Sequence, residues 1–202
     1  MKTLYLERST SPCRDGGWVE ALDLDGVERI VVGTGPGSFA GIRAALAFAQ
    51  GFALGRKCEV LGLPSPCAIA AQCGGKGPLA VVGDARRGKL WVALFDGFSL
   101  VRDIFQLESE ELLGPVPTNS GVCPQENAGS VPREMAGPVP RGCPVVTPDE
   151  GRIGERLKAA FGDSYLGGQT PTAEGLRAFA EANPAILQPE PRPLYLNPAV
   201  RD

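Results

Sequence analysis

The hydrophobic and polar positions of this chain alternate between short apolar runs and one long apolar stretch. The short runs, bounded by glycine, proline or charged residues, predict strands at residues 3–6, 29–32, 59–62, 79–83 and 90–95. The long stretch, residues 39–54, predicts a helix of about 24 Å, at 1.5 Å per residue. Because polar residues 84–89 separate the last two runs, these runs are expected to form a hairpin. Strands that alternate with helices and then form a hairpin indicate an α/β fold with a mixed sheet.

The second half of the chain has a weaker pattern. Residues 114–148 are rich in proline and glycine and predict loops with short strands at most. Residues 172–182 predict an amphipathic helix, with Thr172 as its N-cap and an apolar face that contains Leu176, Phe179 and Ala180. We therefore predict two lobes: an α/β lobe at residues 1–98 and a smaller, loop-rich lobe at residues 99–202.

Three shorter segments carry further expectations. Ser65 follows Pro64 and is predicted to cap a helix over residues 66–72. Residues 18–24 could form one or two helical turns, and residues 193–196 predict a final short strand.

The predicted long helix has only two polar side chains, Arg43 and Gln50, which are seven positions apart and share one stripe. A helix that is apolar on its other sides is buried or covered by a partner. Its small residues, which permit close packing, form two surfaces: Gly37, Gly41, Ala45 and Ala49 on one, and Ala44, Ala47, Gly51 and Gly55 on the other. The sheet beneath, the helix of another subunit, or both on different faces would explain them.

A glycine-rich turn, residues 33–43, lies between the predicted second strand and this helix. Such a turn gathers backbone N–H groups at the positive end of a helix dipole, so it is a candidate phosphate site formed by Gly33, Gly35, Gly37 and Ser38. The spacing matches neither the Walker loop nor the dinucleotide pattern G-x-G-x-x-G, since Gly41 comes one residue late. As a general nucleotide signal the turn is weak.

Composition excludes several kinds of protein. The 202 residues are 43% hydrophobic, enough for a proper core, and the net charge of −3 argues against a chain that grips nucleic acid through its own basic surface. The sequence has no histidine, which excludes Ser-His-Asp catalysis and H-E-x-x-H metal sites. No apolar run reaches 18 residues, and Glu7 and Arg8 come too early for a signal peptide, so we expect a cytoplasmic protein without a membrane partner.

The six cysteines show no C-x-x-C pair and no zinc-ligand spacing: Cys13, Cys58, Cys67, Cys73, Cys123 and Cys143. In a cytoplasmic protein such cysteines are mostly small buried hydrophobic residues, and we expect no metal site.

Several segments together closely resemble the TsaB (YeaZ) family, which is part of the glycoprotease family. The resemblance is carried by residues 35–43 (GPGSFAGIR), 49–55, 62–65, 84–91 (DARRGKLW) and 193–196 (PLYL). It implies an actin-like ATPase (ASKHA, ribonuclease H-like) fold, with a mixed sheet and flanking helices. It also implies a non-catalytic scaffold that supports the enzyme TsaD in forming N6-threonylcarbamoyladenosine in tRNA.

The same resemblance implies partners and an interface. The chain is expected to pair with a TsaD-like protein through its long helix, with an interface of Gly41, Ala44, Ala45, Phe48, Gly51 and Phe52. A TsaE-like ATPase would join the assembly, the chain alone would form a homodimer, and tRNA would be contacted only indirectly. The resemblance implies no catalytic residue and no cofactor.

The N-terminal region departs from the family pattern. Residues 4–10 resemble the first strand and turn of the family, with Glu7 and Arg8 at the Asp-Thr positions. Too few residues then precede Gly35 for the family's hairpin and first helix. We therefore predict an abbreviated N-terminal lobe.

Two alternatives stay open at this point. One is a stand-alone nucleotide-binding enzyme that holds ATP or ADP on the amides of residues 33–38, with Asp84 or Glu7 as a magnesium ligand. In that case Asp84 and Arg86 could act as a pair, although turn residues between buried strands are more often solvated. The other alternative is a divergent regulatory paralogue of the family.

Overall fold

The computed structural model describes residues 1–10, 19–20, 22–113 and 138–196. Its contacts divide the chain into two compact units. Unit 1 contains residues 1–76 and 170–202, and unit 2 contains residues 77–169. Both termini of the chain therefore belong to unit 1.

Ten strands and five helices are present in the described part of the chain. The strands are β1 (Lys2–Leu6), β2 (Val27–Gly33), β3 (Glu59–Leu63), β4 (Pro78–Arg86), β5 (Lys89–Asp96), β6 (Ser99–Leu100), β7 (Phe105–Glu108), β8 (Val145–Thr147), β9 (Tyr165–Gly168) and β10 (Gln188–Pro189). The helices are α1 (Phe39–Gly55), α2 (Ser65–Gln72), α3 (Ser109–Leu113), α4 (Glu150–Phe161) and α5 (Ala173–Ala182). None of the described helices combines the length and the apolar character that a membrane span requires.

The sheet of unit 1 has the order β1-β2-β3-β10, with β1, β2 and β3 parallel and β10 antiparallel to β3. Leu6, Ile30 and Val32 of this sheet pack with Ile42 and Leu46 of α1 in one apolar cluster. The neighbouring residue Tyr5 points instead toward α5. Burial and the negative charge of Glu181 in α5 raise the pKa of its hydroxyl group, whereas the positive charge of Arg177 lowers it. Since alternate residues of a strand point to opposite faces, α1 and α5 cover opposite faces of the sheet.

The sheet of unit 2 has the order β6-β5-β4-β8-β9, and β7 also pairs with β5. The β4–β5 hairpin is antiparallel, whereas β8 is parallel to both β4 and β9. Its apolar core contains Val82, Leu94 and Val145 of the sheet together with Ile153 and Leu157 of α4. Unit 2 is therefore a mixed sheet with its own hydrophobic core.

Several predicted elements are confirmed. The strands at residues 3–6, 29–32 and 59–62, the hairpin and the helix at 39–54 appear with bounds shifted by a few residues. Thr172 caps α5, because its Oγ1 accepts a hydrogen bond from the Gly175 N–H at 3.1 Å. The apolar face of α5 is buried as predicted.

Other predictions need correction. Ser65 does not cap α2, because it is the first residue of the helix. The N-cap position belongs to Pro64, and no side chain makes a capping hydrogen bond there. Residues 193–196 form no strand, although the Leu194 N–H donates one hydrogen bond to the Thr34 carbonyl at 2.8 Å. The last strand is β10, because prolines at 191 and 193 have no N–H to continue a ladder.

The segment at residues 114–148 contains a short strand near its end, in agreement with the prediction of loops with short strands at most. Residues 114–137 lie outside the described residues, but β8 lies within the remainder and is central in its sheet. Trp18 and Ala21 are likewise outside the described residues, and residues 22–24 are not helical. Of the described cysteines, Cys67 and Cys143 are buried as predicted, whereas Cys58 is half-buried and Cys73 is exposed.

The division into units differs from the predicted boundary at residue 98. A boundary at residue 98 would separate β5 from β6 and β7, both of which pair with β5. The whole sheet formed by these strands and β4 lies in unit 2, which begins at Gly77. At the N-terminus, β1 pairs directly with β2, and the described residues between them form turns only. This arrangement fits the abbreviated lobe.

Candidate functional site

The glycine-rich turn joins β2 to α1, and three of its backbone N–H groups donate hydrogen bonds within the protein. The Thr34 N–H donates to the Leu63 carbonyl at 2.9 Å, and the Gly35 N–H donates to Ser65 Oγ at 3.0 Å. The Ser38 N–H donates to the Ser9 carbonyl. A phosphate cradle needs such N–H groups to point at the ligand, so in this conformation three of them are not available.

The turn after β1 closes this loop from the other side. Glu7 Oε1 accepts a hydrogen bond from the Ser9 N–H at 2.7 Å. Glu7 Oε2 is buried beside Gly33, where a Cβ atom would collide with it, and it has no hydrogen-bond partner among the described residues. Burial raises the pKa of the Glu7 carboxyl, because the charged form loses its hydration. In its ionised form a carboxyl group at this place repels a bound anion.

Gly37 permits the closest approach in the loop. Its φ of +157° lies at the edge of the region that favours glycine, and a Cβ atom there would collide with the Ser9 carbonyl. The glycines of the predicted phosphate site thus let two backbone segments pack together. Ser38 caps α1, since its Oγ accepts from the Gly41 N–H at 3.3 Å.

Helix α1 has one buried face and one exposed face. The buried face lies on the sheet of unit 1 and contains Gly41, Ile42, Ala45, Leu46 and Ala49. Two residues of the predicted interface, Gly41 and Ala45, are therefore covered within unit 1. Of the others, Gly51 is exposed and Ala44, Phe48 and Phe52 are half-buried.

The other side of α1 carries what we call the small-residue face. It lies along one stripe of the helix and comprises Ala40, Ala44, Ala47, Gly51, Leu54 and Gly55. Leu54 is 91% exposed, and a methyl group added at Gly51 or Gly55 would meet no described atom within 4 Å. This stripe is apolar and, apart from the half-buried Ala44, exposed within the described part of the chain.

Aromatic and arginine side chains border the small-residue face. The Arg43 guanidinium lies 4.9 Å from the centre of the Phe39 ring, and that of Arg56 lies 4.8 Å from the Phe52 ring. Phe39 also contacts Tyr195, with ring centres 5.4 Å apart, and both rings are more than half exposed. Residue patterns did not predict the Phe39–Tyr195 pair, although Tyr195 belongs to one of the segments that carry the family resemblance.

In unit 2 the structure brings Asp84 and Arg86 together and adds residues that sequence reasoning missed. Asp84 Oδ2 forms ion pairs with Arg86 at 3.6 Å and with Arg152 at 3.4 Å. The Asp84 N–H donates to Asp149 Oδ2 at 2.9 Å. Asp84 thus anchors arginines, and the described residues contain no group of three or more side chains that could hold a metal ion.

Comparisons with known proteins place this arrangement in context. Residues 20–108, a little under half of the chain, match the family model described as TsaD, tRNA N6-adenosine threonylcarbamoyltransferase. The structure resembles that of YeaZ from Pseudomonas aeruginosa with a TM-score of 0.54 and 20% identity, covering 88% of this chain and 79% of that one. The fold is YeaZ-like. Both the predicted resemblance and the mixed α/β fold are confirmed.

A second solved structure supports the YeaZ-like fold. It is an uncharacterized protein with similarity to the peptidase YeaZ from Pseudomonas aeruginosa, with a TM-score of 0.54 and 20% identity. The match covers 89% of this chain and 78% of that one. No curated protein matches the sequence significantly.

Proposed function

We propose that this YeaZ-like chain is a non-catalytic subunit of the complex that forms N6-threonylcarbamoyladenosine in tRNA. In this role it binds a TsaD-like enzyme through the small-residue face of α1. The match of residues 20–108 to the model of a threonylcarbamoyltransferase family and the YeaZ-like fold support a role in this tRNA modification. The single observation that carries the proposed interface is the uncovered apolar stripe on α1.

The physical argument starts from the composition of that stripe. A glycine in the interior of a helix destabilises it by roughly 0.5–1 kcal/mol relative to alanine. No atom of the described residues lies close enough to Gly51 to require the missing side chain. Small residues let the backbones of two helices approach closely, at interaxial distances of about 8 Å. A partner helix would therefore explain both the glycine and the exposed Leu54.

The structure favours this binding role over the nucleotide-binding alternative. The N–H groups of Thr34, Gly35 and Ser38 are engaged within the protein, and Glu7 lies beside them. The proposal accordingly assigns no cofactor and no catalytic residue to the chain. In the absence of the enzyme, the same face would pair two copies of the chain, and a TsaE-like ATPase would join the assembled complex.

Co-elution with the TsaD-like enzyme of the same organism tests this proposal. Ala47 is exposed in the middle of the stripe, so Ala47→Glu adds charge and bulk there while leaving the core of unit 1 untouched. We expect this variant to elute separately from the enzyme and to lose its stimulation of threonylcarbamoyl transfer to tRNA. The matched control is Ala178→Glu, which changes an exposed alanine of α5 in the same unit.

Two results would contradict the proposal. One is co-elution of Ala47→Glu at the level of the unchanged chain, which would remove α1 from the interface. The other is full enzyme activity in the absence of this chain, which would remove its role in the reaction.

A further inference from the structure

The tip of the β4–β5 hairpin holds two consecutive arginines in an unusual backbone conformation. Arg86 has a φ of 69° and Arg87 a φ of 54°, in the left-handed region that favours glycine and asparagine. Arg87 and Gly88 form the two-residue loop, in which both residues have positive φ. Asparagine is usual at the first of these positions. Strained residues of this kind are concentrated at functional sites.

A β-bulge accompanies this strain. The register of the hairpin shifts between Asp84 and Arg86, so one extra residue lies in β4 next to the tip. Bulges commonly change the direction of the side chains that follow them. Arg86 and Arg87 are both exposed, and Arg87 forms no ion pair with any described residue.

Helix α4 adds two arginines one turn apart, Arg152 and Arg156. Arg152 and Arg86 pair with the same oxygen of Asp84, so their guanidinium groups lie side by side. Arg156 donates to Ser109 Oγ at 3.2 Å, and the Ser109 N–H donates to the Gly88 carbonyl at 2.8 Å. These contacts place four arginines around one hairpin tip, the arginine surface: Arg86, Arg87, Arg152 and Arg156.

Acidic side chains lie beside and between the arginines of this surface. Asp84 is shared by two arginines, Lys89 pairs with Glu108, and Glu110 lines a depression beside Arg156. Asp149 and Glu155 lie at the start and in the middle of α4. None of the large exposed hydrophobic side chains of the described chain belongs to this surface. A protein interface usually has such apolar anchors, whereas guanidinium groups alone suit phosphate oxygens.

We propose that the arginine surface of unit 2 contacts the phosphate backbone of RNA. This inference rests on the proposed function, in which the RNA is the tRNA substrate of the complex. It assigns the chain a direct contact with tRNA, beyond the indirect one that the family resemblance implies. Because the net charge of the chain is −3, the contact supplements the binding by the enzyme and does not replace it.

The test is a salt titration of tRNA binding to the complex of this chain and the enzyme, followed by fluorescence anisotropy. The variant is Arg86→Asn/Arg87→Asn, because asparagine tolerates positive φ and the fold is therefore kept. Each lost phosphate contact makes the negative slope of log K against log salt less steep by about one, so we expect the magnitude of the slope to decrease by about two. We also expect binding about tenfold weaker at low salt.

The matched control is Arg141→Ala/Lys158→Ala, which removes two exposed positive charges from the same unit. We expect this control to keep the slope of the unchanged complex. An equal decrease of the slope in the variant and in the control would overturn the inference, because the number of positive charges on the unit would then explain the decrease. Weaker binding to the enzyme with an unchanged RNA slope would also overturn it, since the surface would then contact protein.

Failure of the proposed function is distinguishable from failure of this inference. If the chain and the enzyme do not co-elute, the same titration is run on the chain alone at low salt. A lower slope for Arg86→Asn/Arg87→Asn than for the control would still support RNA contact. Identical slopes would overturn it.

Discussion

The Glu7 carboxyl group lies in the turn after β1, with Oε1 held by the Ser9 N–H and Oε2 buried beside Gly33. Burial opposes ionisation of this group, so its pKa is higher in the folded protein than in the unfolded chain. The folded state therefore holds the proton more tightly. It follows that stability depends on pH through this residue.

The sign of this dependence gives the first prediction. The contribution of Glu7 to the free energy of unfolding is fully present below its ordinary pKa of 4.5 and decreases as pH rises through the raised pKa of the folded state. The change Glu7→Gln keeps an oxygen for the Ser9 N–H and removes the titration. At pH 8 we expect this variant to be more stable than the unchanged chain by about 1–3 kcal/mol, measured by urea unfolding between pH 4 and pH 8.

Glu155→Gln is the control, because Glu155 is exposed on α4. This control removes one carboxylate from an exposed position and so reports the effect of the change in net charge alone. Parallel pH profiles of Glu7→Gln and the unchanged chain would contradict the prediction, because Glu7 would then bind protons equally in the folded and unfolded states.

Gly37 provides a second prediction at the scale of one residue. Gly37→Ala places a methyl group against the Ser9 carbonyl at a strained φ. Strain of this kind amounts to about 1–3 kcal/mol, and we expect at least that loss in the free energy of unfolding. Gly26→Ala is a matched control for positive φ, since Gly26 has a φ of +67° and a methyl group there meets no atom of the described residues within 4 Å. A larger loss at Gly26 would contradict the close approach at Gly37.

At the scale of the residue, the sequence indicates which side chains matter but not all of their partners. Ser65 was expected to cap α2, yet its hydroxyl accepts the Gly35 N–H, because the loop before α1 lies across the start of α2. The sequence offers Asp84 and Arg86 as a pair and the structure pairs them, but Arg152, which also pairs with Asp84, comes from α4, far along the chain. Periodicity describes neighbours within one element and contains no information on such long-range pairs.

At the scale of the element, α1 combines two surfaces of small residues with different roles. One packs on the sheet of unit 1, and the other is the small-residue face. The sequence predicted both surfaces and the bounds of the helix, because a long apolar run with few polar residues is a strong signal. It could not decide which surface is buried, since both consist of alanine and glycine.

Gly51 allows the two roles of α1 to be separated. Gly51→Ala adds a methyl group that meets no described atom, so we expect the free energy of unfolding to rise by about 0.5–1 kcal/mol. If a partner helix packs closely on this face, the same change should weaken co-elution with the TsaD-like enzyme. Thermal unfolding and size-exclusion chromatography measure the two effects. A more stable chain with unchanged association would show that the face is not closely packed by the enzyme.

Elements with weak local signals are the ones whose place in a sheet the sequence does not predict. Strand β8 has only three residues, yet it lies between β4 and β9 in the sheet of unit 2. Its position follows from pairing with distant strands, and the proline-rich segment before it hides its pattern. Residues 193–196 show the opposite. Their apolar pattern predicts a strand, but within the described residues the segment makes a single backbone hydrogen bond, to Thr34.

At the scale of the whole molecule, each unit has its own apolar core. Leu46 of α1 belongs to the core of unit 1, and Leu157 of α4 belongs to that of unit 2. Replacing a buried leucine with alanine destabilises a core by about 2–5 kcal/mol. Regions with separate cores often open as separate cooperative units, and amide hydrogen exchange reports the free energy of each opening.

Leu157→Ala and Leu46→Ala therefore form a matched pair for the last prediction. Leu157→Ala should accelerate exchange in β4, β5 and β8, whereas Leu46→Ala should accelerate exchange in β1, β2 and β3. Because the small-residue face belongs to unit 1, Leu46→Ala should also weaken association with the TsaD-like enzyme more than Leu157→Ala does. Equal acceleration in both sets of strands would mean that the chain opens as one cooperative unit. The small-residue face and the arginine surface would then belong to one cooperative unit. A destabilising substitution near one surface would also destabilise the other.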